Sequence, residues 1–417
     1  RKSERWDFVI RVAFMQVVSA KKLGGEAEMK ACLVVSTYTP RKCGIATFSN
    51  DLRDNLLSKG QKVLIAAISE PFSSYVYPSE VAFKIRQERK ADYIACAQWV
   101  NNNPDIETVI IQHEYGIFGG QDGDYVLELV SHLQKPYLLV THTVIPHPHE
   151  NQKKVLMRLA QSANGIICMT VRARKLLSNV YSVPGEKIFV VPHGVPNFPV
   201  KEREGLKAQY GLEDRRIITT FGFIGPGKGL EYGLKALAKV VDKHTNVLYL
   251  IAGNTHPMLL RSEGESYRDS ILQLVEELKL QDNVLFVNHF LDIGEIGDYL
   301  YMTDIYLSPY PNMDQAVSGP LSFAVGCGRA IIATPYQYAR EILAQGRGLV
   351  AREATPEALA EQLELILGDA TVQTELEHRV AEFGQSFSWE SVAEIYLKIA
   401  EEVLEGYDAG NVQKLGL

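Results

Sequence analysis

The sequence predicts an α/β protein made of two doubly wound, Rossmann-like domains, each built on a parallel sheet. Three observations carry that expectation. From Met29 onward, short apolar runs alternate with amphipathic stretches. The runs show little period-2 alternation, as expected of parallel strands covered by helices on both faces. The alternation breaks around 195–215 and then starts again, so two βα halves are joined by a connecting segment. Ligands of such sheets bind outside the carboxyl ends of the strands. With two such domains, that rule predicts a site in the cleft between them.

In the first half, ACLVVST (31–37) reads as a buried strand and NDLRDNLLSKG (50–60) as a helix ended by Gly60. KVLIAAI (62–68), TVIIQH (108–113), YLLVTHT (137–143), GIICMT (165–170) and IFVVPHG (188–194) are further strands. QKKVLMRLAQSA and VRARKLLSNVY are helices between the later ones. VPNFPVKEREGLKAQYGLEDRR then brings charge clusters and prolines, which suits a linker containing a short helix. In the second half, IITTFGF (217–223), NVLYLIAG (246–253), NVLFVNHF (283–290), DIYLSPY (304–310) and AIIATPY (330–336) read as strands. EYGLKALAKVVDKH, YRDSILQLVEELKL, SFAVGCG and TPEALAEQLELILGD are the helices between them, and WESVAEIYLKIAEEVLEGY (389–407) is a long amphipathic helix. The expected organisation is an extension over 1–28, a first domain over 29–196 completed by about 389–417, a linker over 197–215 and a second domain over 216–388.

Composition narrows the function classes. A chain of 417 residues can bury a core without disulfide or metal staples. With 46% hydrophobic and 22% charged residues, disorder, collagen and coiled coil are excluded for its bulk. A net charge of -7 argues against nucleic acid as a partner. Cys32, Cys43, Cys96, Cys168 and Cys327 are odd in number and lack C-x-x-C spacing. That argues against a disulfide framework or zinc site and for a reducing, cytosolic compartment. No run of eighteen apolar residues is free of charge, so no transmembrane helix is expected. Residues 1–28 outline a signal peptide, but Asp7 and Arg11 interrupt the apolar run and a fuller start follows at Met29. The segment reads as an extension, with a targeting or membrane-surface helix as the alternative.

The sharpest local signal is TTFGFIGPGKGLEYGLKAL (219–237), in which a strand runs into Gly225, Gly227, Lys228 and Gly229 and a helix follows. Glycines let backbone N–H groups approach a ligand, the helix start adds partial positive charge, and Lys228 adds a full one. That arrangement suits a pyrophosphate. It is neither a Walker A loop nor G-x-G-x-x-G. A tight turn with a solvated lysine is the structural alternative. The second signal is DIYLSPYPNMDQAVSGPLSFAVGCGRAIIATPYQYAREIL (304–343). Its loop Q-A-V-S-G-P (315–320) would present N–H groups at a helix N-terminus, and Gly326 and Gly328 would let helix and strand pack closely.

This pattern resembles the donor-binding domain of the retaining glycosyltransferases of family 4, which have the GT-B fold. Their run E-G-F-G-x-P-x-x-E-A-M-A-C-G-x-P-V-I-A is matched by Q-A-V-S-G-P-L-S-F-A-V-G-C-G-R-A-I-I-A, with Glu341 later. The resemblance extends to GKG, to VVPHGV before the linker and to VTHT in the first half, and the last helix looks like the family's helix that crosses back to the first domain. It implies an N-terminal acceptor domain and a C-terminal domain for a nucleotide-sugar donor. It departs at three positions. The family's two glutamates fall on Gln315 and Phe323, and the Arg that usually precedes the phosphate-loop Lys falls near Phe223. A Gln can still hydrogen-bond a sugar hydroxyl, and Phe323 cannot hold a ribose diol.

The resemblance implies transfer of a hexosyl unit, with retention, from a UDP- or GDP-sugar to a saccharide or lipid-linked hydroxyl in polysaccharide or glycoconjugate synthesis. His142, Lys228 and Gln315 are the expected catalytic residues. Gly227, Gly229, Phe290, Leu291, Ala316, Val317 and Ser318 are the expected donor contacts. Arg41 and Gly44, in STYTPRKCGIATFSNDL (36–52), would form the closing loop, and Glu114, in QHEYGIFGGQDGDY (112–125), would face the acceptor. Each has a structural alternative: an exposed basic turn, a solvated loop, or a core histidine at 142. His147 and His149 make a weak metal case without a third ligand. His193 falls where the family often has Asn, and its role is open. The nucleotide sugar is a co-substrate, and no cofactor or metal is required. The expected place is the cytoplasm, with peripheral contact at the inner face of a membrane for a lipid-linked acceptor. A GT-B glycosyl phosphorylase using inorganic phosphate, and an inactive relative that binds glycans or a partner enzyme, stay open as alternatives.

Overall fold

The computed structural model describes residues 30–415, so the reading of residues 1–28 lies outside the described residues. The chain divides into two compact units. One holds the chain up to Pro192 together with Glu390 onward, and the other holds His193–Trp389.

In the first unit the order is β1 (Ala31–Ser36), α1 (Gly44–Ser58), β2 (Val63–Ser69), β3 (Val81–Arg86), α2 (Lys90–Asn102), β4 (Ile106–His113), α3 (Val126–His132), β5 (Tyr137–Thr141), α4 (Glu150–Ser162), β6 (Gly165–Cys168), α5 (Val171–Asn179) and β7 (Ile188–Val190). The seven strands are parallel in the order β3-β2-β1-β4-β5-β6-β7. β1 and β5 are buried along their whole length, which is why their sequences are unbroken apolar runs. The first helix starts at Gly44, six residues before the expected start, because the Cys43 thiol accepts from the Ala46 amide and caps it. The edge strand β3 and helix α2 were not singled out in the sequence. In VAFKIR only Ile85 is buried, so no apolar run marks the strand.

The second unit follows as α6 (Arg203–Tyr210), β8 (Arg216–Phe221), α7 (Leu230–Val240), β9 (Val247–Ala252), α8 (Pro257–Glu263), α9 (Ser266–Glu277), β10 (Val284–Val287), α10 (Ile293–Met302), β11 (Ile305–Ser308), α11 (Gly319–Gly326), β12 (Ala330–Ala333), α12 (Gln337–Ile342), β13 (Leu349–Val350), α13 (Pro356–Gly368) and α14 (Ala370–Gly384). Its six parallel strands run β10-β9-β8-β11-β12-β13. Two apolar clusters cover the two faces of this sheet. One gathers Phe221, Tyr306, Leu321 and Phe323, the other Ile218, Tyr249, Ile251 and Leu307. Residues 197–215, read as the linker, lie within this unit, with Phe198 and Leu206 in its core.

The last helix, α15 (Trp389–Leu415), packs on the first unit. Lys59 pairs with Glu390 at 3.0 Å and Glu394 at 2.7 Å, and the Tyr407 hydroxyl donates to the Gln134 carbonyl at 2.7 Å. Among the described residues, no helix is long and apolar enough to cross a membrane.

One expectation is corrected here. Gly326 and Gly328 do not serve helix–strand packing. A Cβ on Gly326 would lie 2.5 Å from a Val195 methyl, and one on Gly328 2.9 Å from the Ala381 methyl on α14. The small residues admit the incoming chain and a neighbouring helix.

Candidate functional site

In each sheet the strand order reverses between two neighbours, β1 and β4 in the first and β8 and β11 in the second. Loops leaving such neighbours diverge and open a crevice at the carboxyl ends. Within each unit, some of the predicted residues follow these strands, whereas His142 follows β5 and Phe290 and Leu291 follow β10. Arg41 and Gly44 follow β1, and Glu114 follows β4. Lys228 follows β8, and residues 315–318 follow β11.

In the second unit, the loop after β8 comes very close to its neighbours. Gly229 sits at φ 61°, and a Cβ there would lie 2.1 Å from the Pro309 carbonyl oxygen. Gly253 sits at φ 138°, and a Cβ would lie 2.1 Å from the Gly222 carbonyl oxygen. Only glycine fits either position without backbone movement. Gly229→Ala is therefore expected to lower stability by about 1–3 kcal/mol through strain and clash. Thermal unfolding checks this, and an unchanged midpoint would show that the turn relaxes freely.

This close approach sets Lys228 beside the end of β11. Its Nζ donates to the Tyr310 hydroxyl at 2.8 Å and lies 4.8 Å from the Tyr310 ring centre. Burial alone would push the Tyr310 phenol up, but the Lys228 ammonium and its hydrogen bond hold it below the ordinary tyrosine value. Phe223 packs against His256 (5.4 Å) and Phe290 (6.1 Å). Burial and the nearby Lys228 charge lower the His256 pKa. The aromatic pair explains the position that departs from the family: a ring stands where a second cation was expected.

The other predicted donor contacts are placed differently from one another. Gln315 turns its amide N–H onto the Val317 carbonyl at 2.8 Å. Ser318 caps α11, accepting from the Leu321 amide at 3.2 Å. The Gly229 amide donates to the Pro226 carbonyl at 3.1 Å, whereas Gly227 is exposed at the tip of the turn. Ala316 and Val317 are half-buried, Phe290 is exposed, and the Leu291 side chain lies in the core. Phe323 is also a core residue, against Phe198 and Phe221. Arg268 is a buried clamp. It donates to the Gly253 carbonyl at 2.8 Å and to the Asn288 side chain, tying the loops after β9 and β10 together.

In the first unit, Arg41 reaches Glu70 at 3.9 Å and Gln87 at 3.4 Å. A Cβ on Gly44 would meet open space. Glu114 accepts from Thr143 at 2.5 Å and from the Tyr115 amide at 3.0 Å, and burial raises its pKa against these bonds. His142 is 8% exposed, hydrogen-bonds Gln112 at 2.7 Å and meets the edge of Phe48 at 4.7 Å. The loop 112–125 is ordered by two 3-10 turns. His113 is fully buried between Tyr115 and Phe118. Asp122 pairs with His149 at 3.2 Å and Asn151 at 2.8 Å. Among the described residues, no three His, Cys, Asp or Glu side chains form a group that could hold a metal ion.

Residues 202–387 match the family described as Glycosyl transferases group 1. The second unit carries a glycosyl transferases group 1 domain. Lys228, Tyr310 and the 315–318 loop all lie inside it. Over its length, the chain is similar to an uncharacterized glycosyltransferase of Methanocaldococcus jannaschii, at 18% identity over 90% of this chain and 99% of the relative. Among solved structures, sucrose-phosphate synthase from Thermosynechococcus elongatus superimposes with a TM-score of 0.73 at 17% identity, covering 90% of this chain and 100% of the other. HepE of Anabaena, in complex with UDP-glucose, gives 0.68 at 16%, covering 89% and 99%. These likenesses show the GT-B fold.

The residues that sequence reading missed are Phe223 as a contact and Tyr310. Tyr310 stands just past the end of β11, where ligand contacts in doubly wound sheets concentrate, and that rule was the available signal.

Proposed function

We propose that this protein is a retaining glycosyltransferase that moves a hexosyl unit from a nucleoside diphosphate sugar to a hydroxyl of a saccharide or lipid-linked acceptor, in polysaccharide or glycoconjugate synthesis. The observation that carries this reading is Lys228, held in a glycine-rich turn at the sheet's switch point inside a group 1 domain. Neighbours support the donor class. HepE was solved with UDP and glucose, and TarM with UDP and a glycan. The second unit would hold the donor and the first the acceptor, with His142 at the sugar and Arg41, Gly44 and Glu114 on the acceptor side. A lipid-linked acceptor would bring peripheral contact with a membrane.

Lys228 and N–H groups at the start of α7 and α11 would offset the charge that develops on the leaving diphosphate, without a metal. Preorganised donors of this kind contribute roughly 3 kcal/mol each. Phe323 favours a second reading. It is buried in the core where the family has a ribose-binding carboxylate, and a phosphorylase using inorganic phosphate needs no ribose contact. The test is thermal stability with UDP, GDP, ADP or phosphate, one at a time. At about 100 times its dissociation constant a ligand adds roughly 2.7 kcal/mol. A shift with one nucleotide, lost in Lys228→Met, is the expected result. A shift with phosphate alone would select the phosphorylase. No shift with any would select a non-catalytic binding protein.

A further inference from the structure

Lys228 is not a free surface cation, and what holds it is unusually well fixed. Tyr310 is 4% exposed and stacks on Tyr336 with ring centres 5.1 Å apart and planes at 17°. Tyr336 is held in turn by the Ser308 hydroxyl at 2.7 Å. The backbone of Tyr310 is pinned as well, since its carbonyl accepts from the Thr334 hydroxyl at 2.5 Å. The Tyr310 hydroxyl therefore stands at a defined point. Two donors from different elements converge on it, Lys228 Nζ at 2.8 Å and the Ser318 hydroxyl at 3.3 Å. Ser318 at the same time caps α11.

We propose that Tyr310 is a positioning residue for diphosphate binding, whose hydroxyl fixes the Lys228 ammonium and the Ser318 cap of α11 in one geometry. The proposal rests on the donor reading above. An ammonium has three N–H donors; one is given to Tyr310, which leaves two for phosphate oxygens. A free lysine side chain loses roughly 2 kcal/mol of rotamer entropy when it is ordered. Here much of that ordering precedes the ligand, which is the general route by which preorganisation raises affinity. The lowered phenol pKa agrees with a close contact to the charge.

The test uses the full chain, titrated calorimetrically with UDP, GDP and ADP separately. Tyr310→Phe keeps the ring stack and removes only the hydroxyl. It is expected to weaken the nucleotide that binds by five- to twentyfold. Lys228→Met is expected to weaken it at least as much. In the Lys228→Met background, Tyr310→Phe is expected to change affinity by less than twofold, because a residue that acts through Lys228 has nothing left to position. Equal losses in both backgrounds would mark a structural effect and overturn the proposal, as would wild-type affinity in Tyr310→Phe. If Lys228→Met binds like the wild type, or no nucleotide binds the wild type, the donor reading falls and the proposal with it. If Tyr310→Phe unfolds, Ser318→Gly decides. It keeps an accepted N-cap residue and is expected to weaken binding two- to fivefold, and unchanged affinity would overturn the proposal.

Discussion

Asp304→Ala is expected to lower the stability of the second unit by about 3–5 kcal/mol, the range for breaking a buried ion pair from one side. Asp304 is 4% exposed at the start of β11. One carboxylate oxygen receives Lys207 Nζ at 3.0 Å and the Ile217 amide at 2.7 Å. The other faces Arg203 at 3.7 Å and Arg216 at 4.0 Å. Lys207 is itself 3% exposed, so removing the carboxylate leaves its buried ammonium with Glu204 alone, at 3.3 Å, and strands the Ile217 backbone N–H. For a unit of this size that corresponds to a fall of about 6–20 °C in its unfolding midpoint. The double variant Asp304→Ala with Lys207→Met should recover part of the loss, because the under-compensated buried charge goes with it. A single-variant loss below about 1 kcal/mol in urea unfolding would show that water reaches the cluster and screens it.

A second large effect is acid lability between pH 6.5 and 4. His113 is wholly buried and His193 is partly buried, and desolvation pushes each down from the ordinary 6.5 to about 4. Both ring nitrogens of His113 lack a partner, so nothing in its surroundings rewards a proton. Above pH 6.5 neither state is protonated and stability is at its full value. As pH falls below 6.5 the unfolded chain takes up protons that the folded chain refuses, so stability falls until about pH 4. A depression of this size is worth about 3 kcal/mol per histidine. His113→Leu should remove its share of that slope between pH 6.5 and 4 in the unfolding midpoint of the first unit. An unchanged slope would show that the ring is protonated in the folded state.

Much of this molecule was legible in the sequence, and the reason is physical. Strands buried on both faces must be apolar throughout, so β1, β5 and β9 announce themselves. Glycines forced into the left-handed region, such as Gly229, mark the turns. The alternation of strand and helix, broken once, foretold two parallel sheets, and the switch points followed. Elements under weaker constraint were not legible. β3 has one buried residue in six, and the first helix begins early because a cysteine thiol caps it.

Side-chain partnerships were the other loss. His113 is packed between aromatic rings and Arg268 clamps two loops, and no local pattern in the sequence foretells either partnership. Gln315 could be named as a sugar contact, but its amide lies on its own loop. The sequence by itself determined the strand order's raw material, the fold class and the lysine in its glycine-rich turn, because each depends on local pattern. Only the tertiary structure decided what that lysine touches. Lys228 and Tyr310 are far apart along the chain, and they meet because β8 and β11 are neighbours in the sheet and Gly229 lets their loops close to contact.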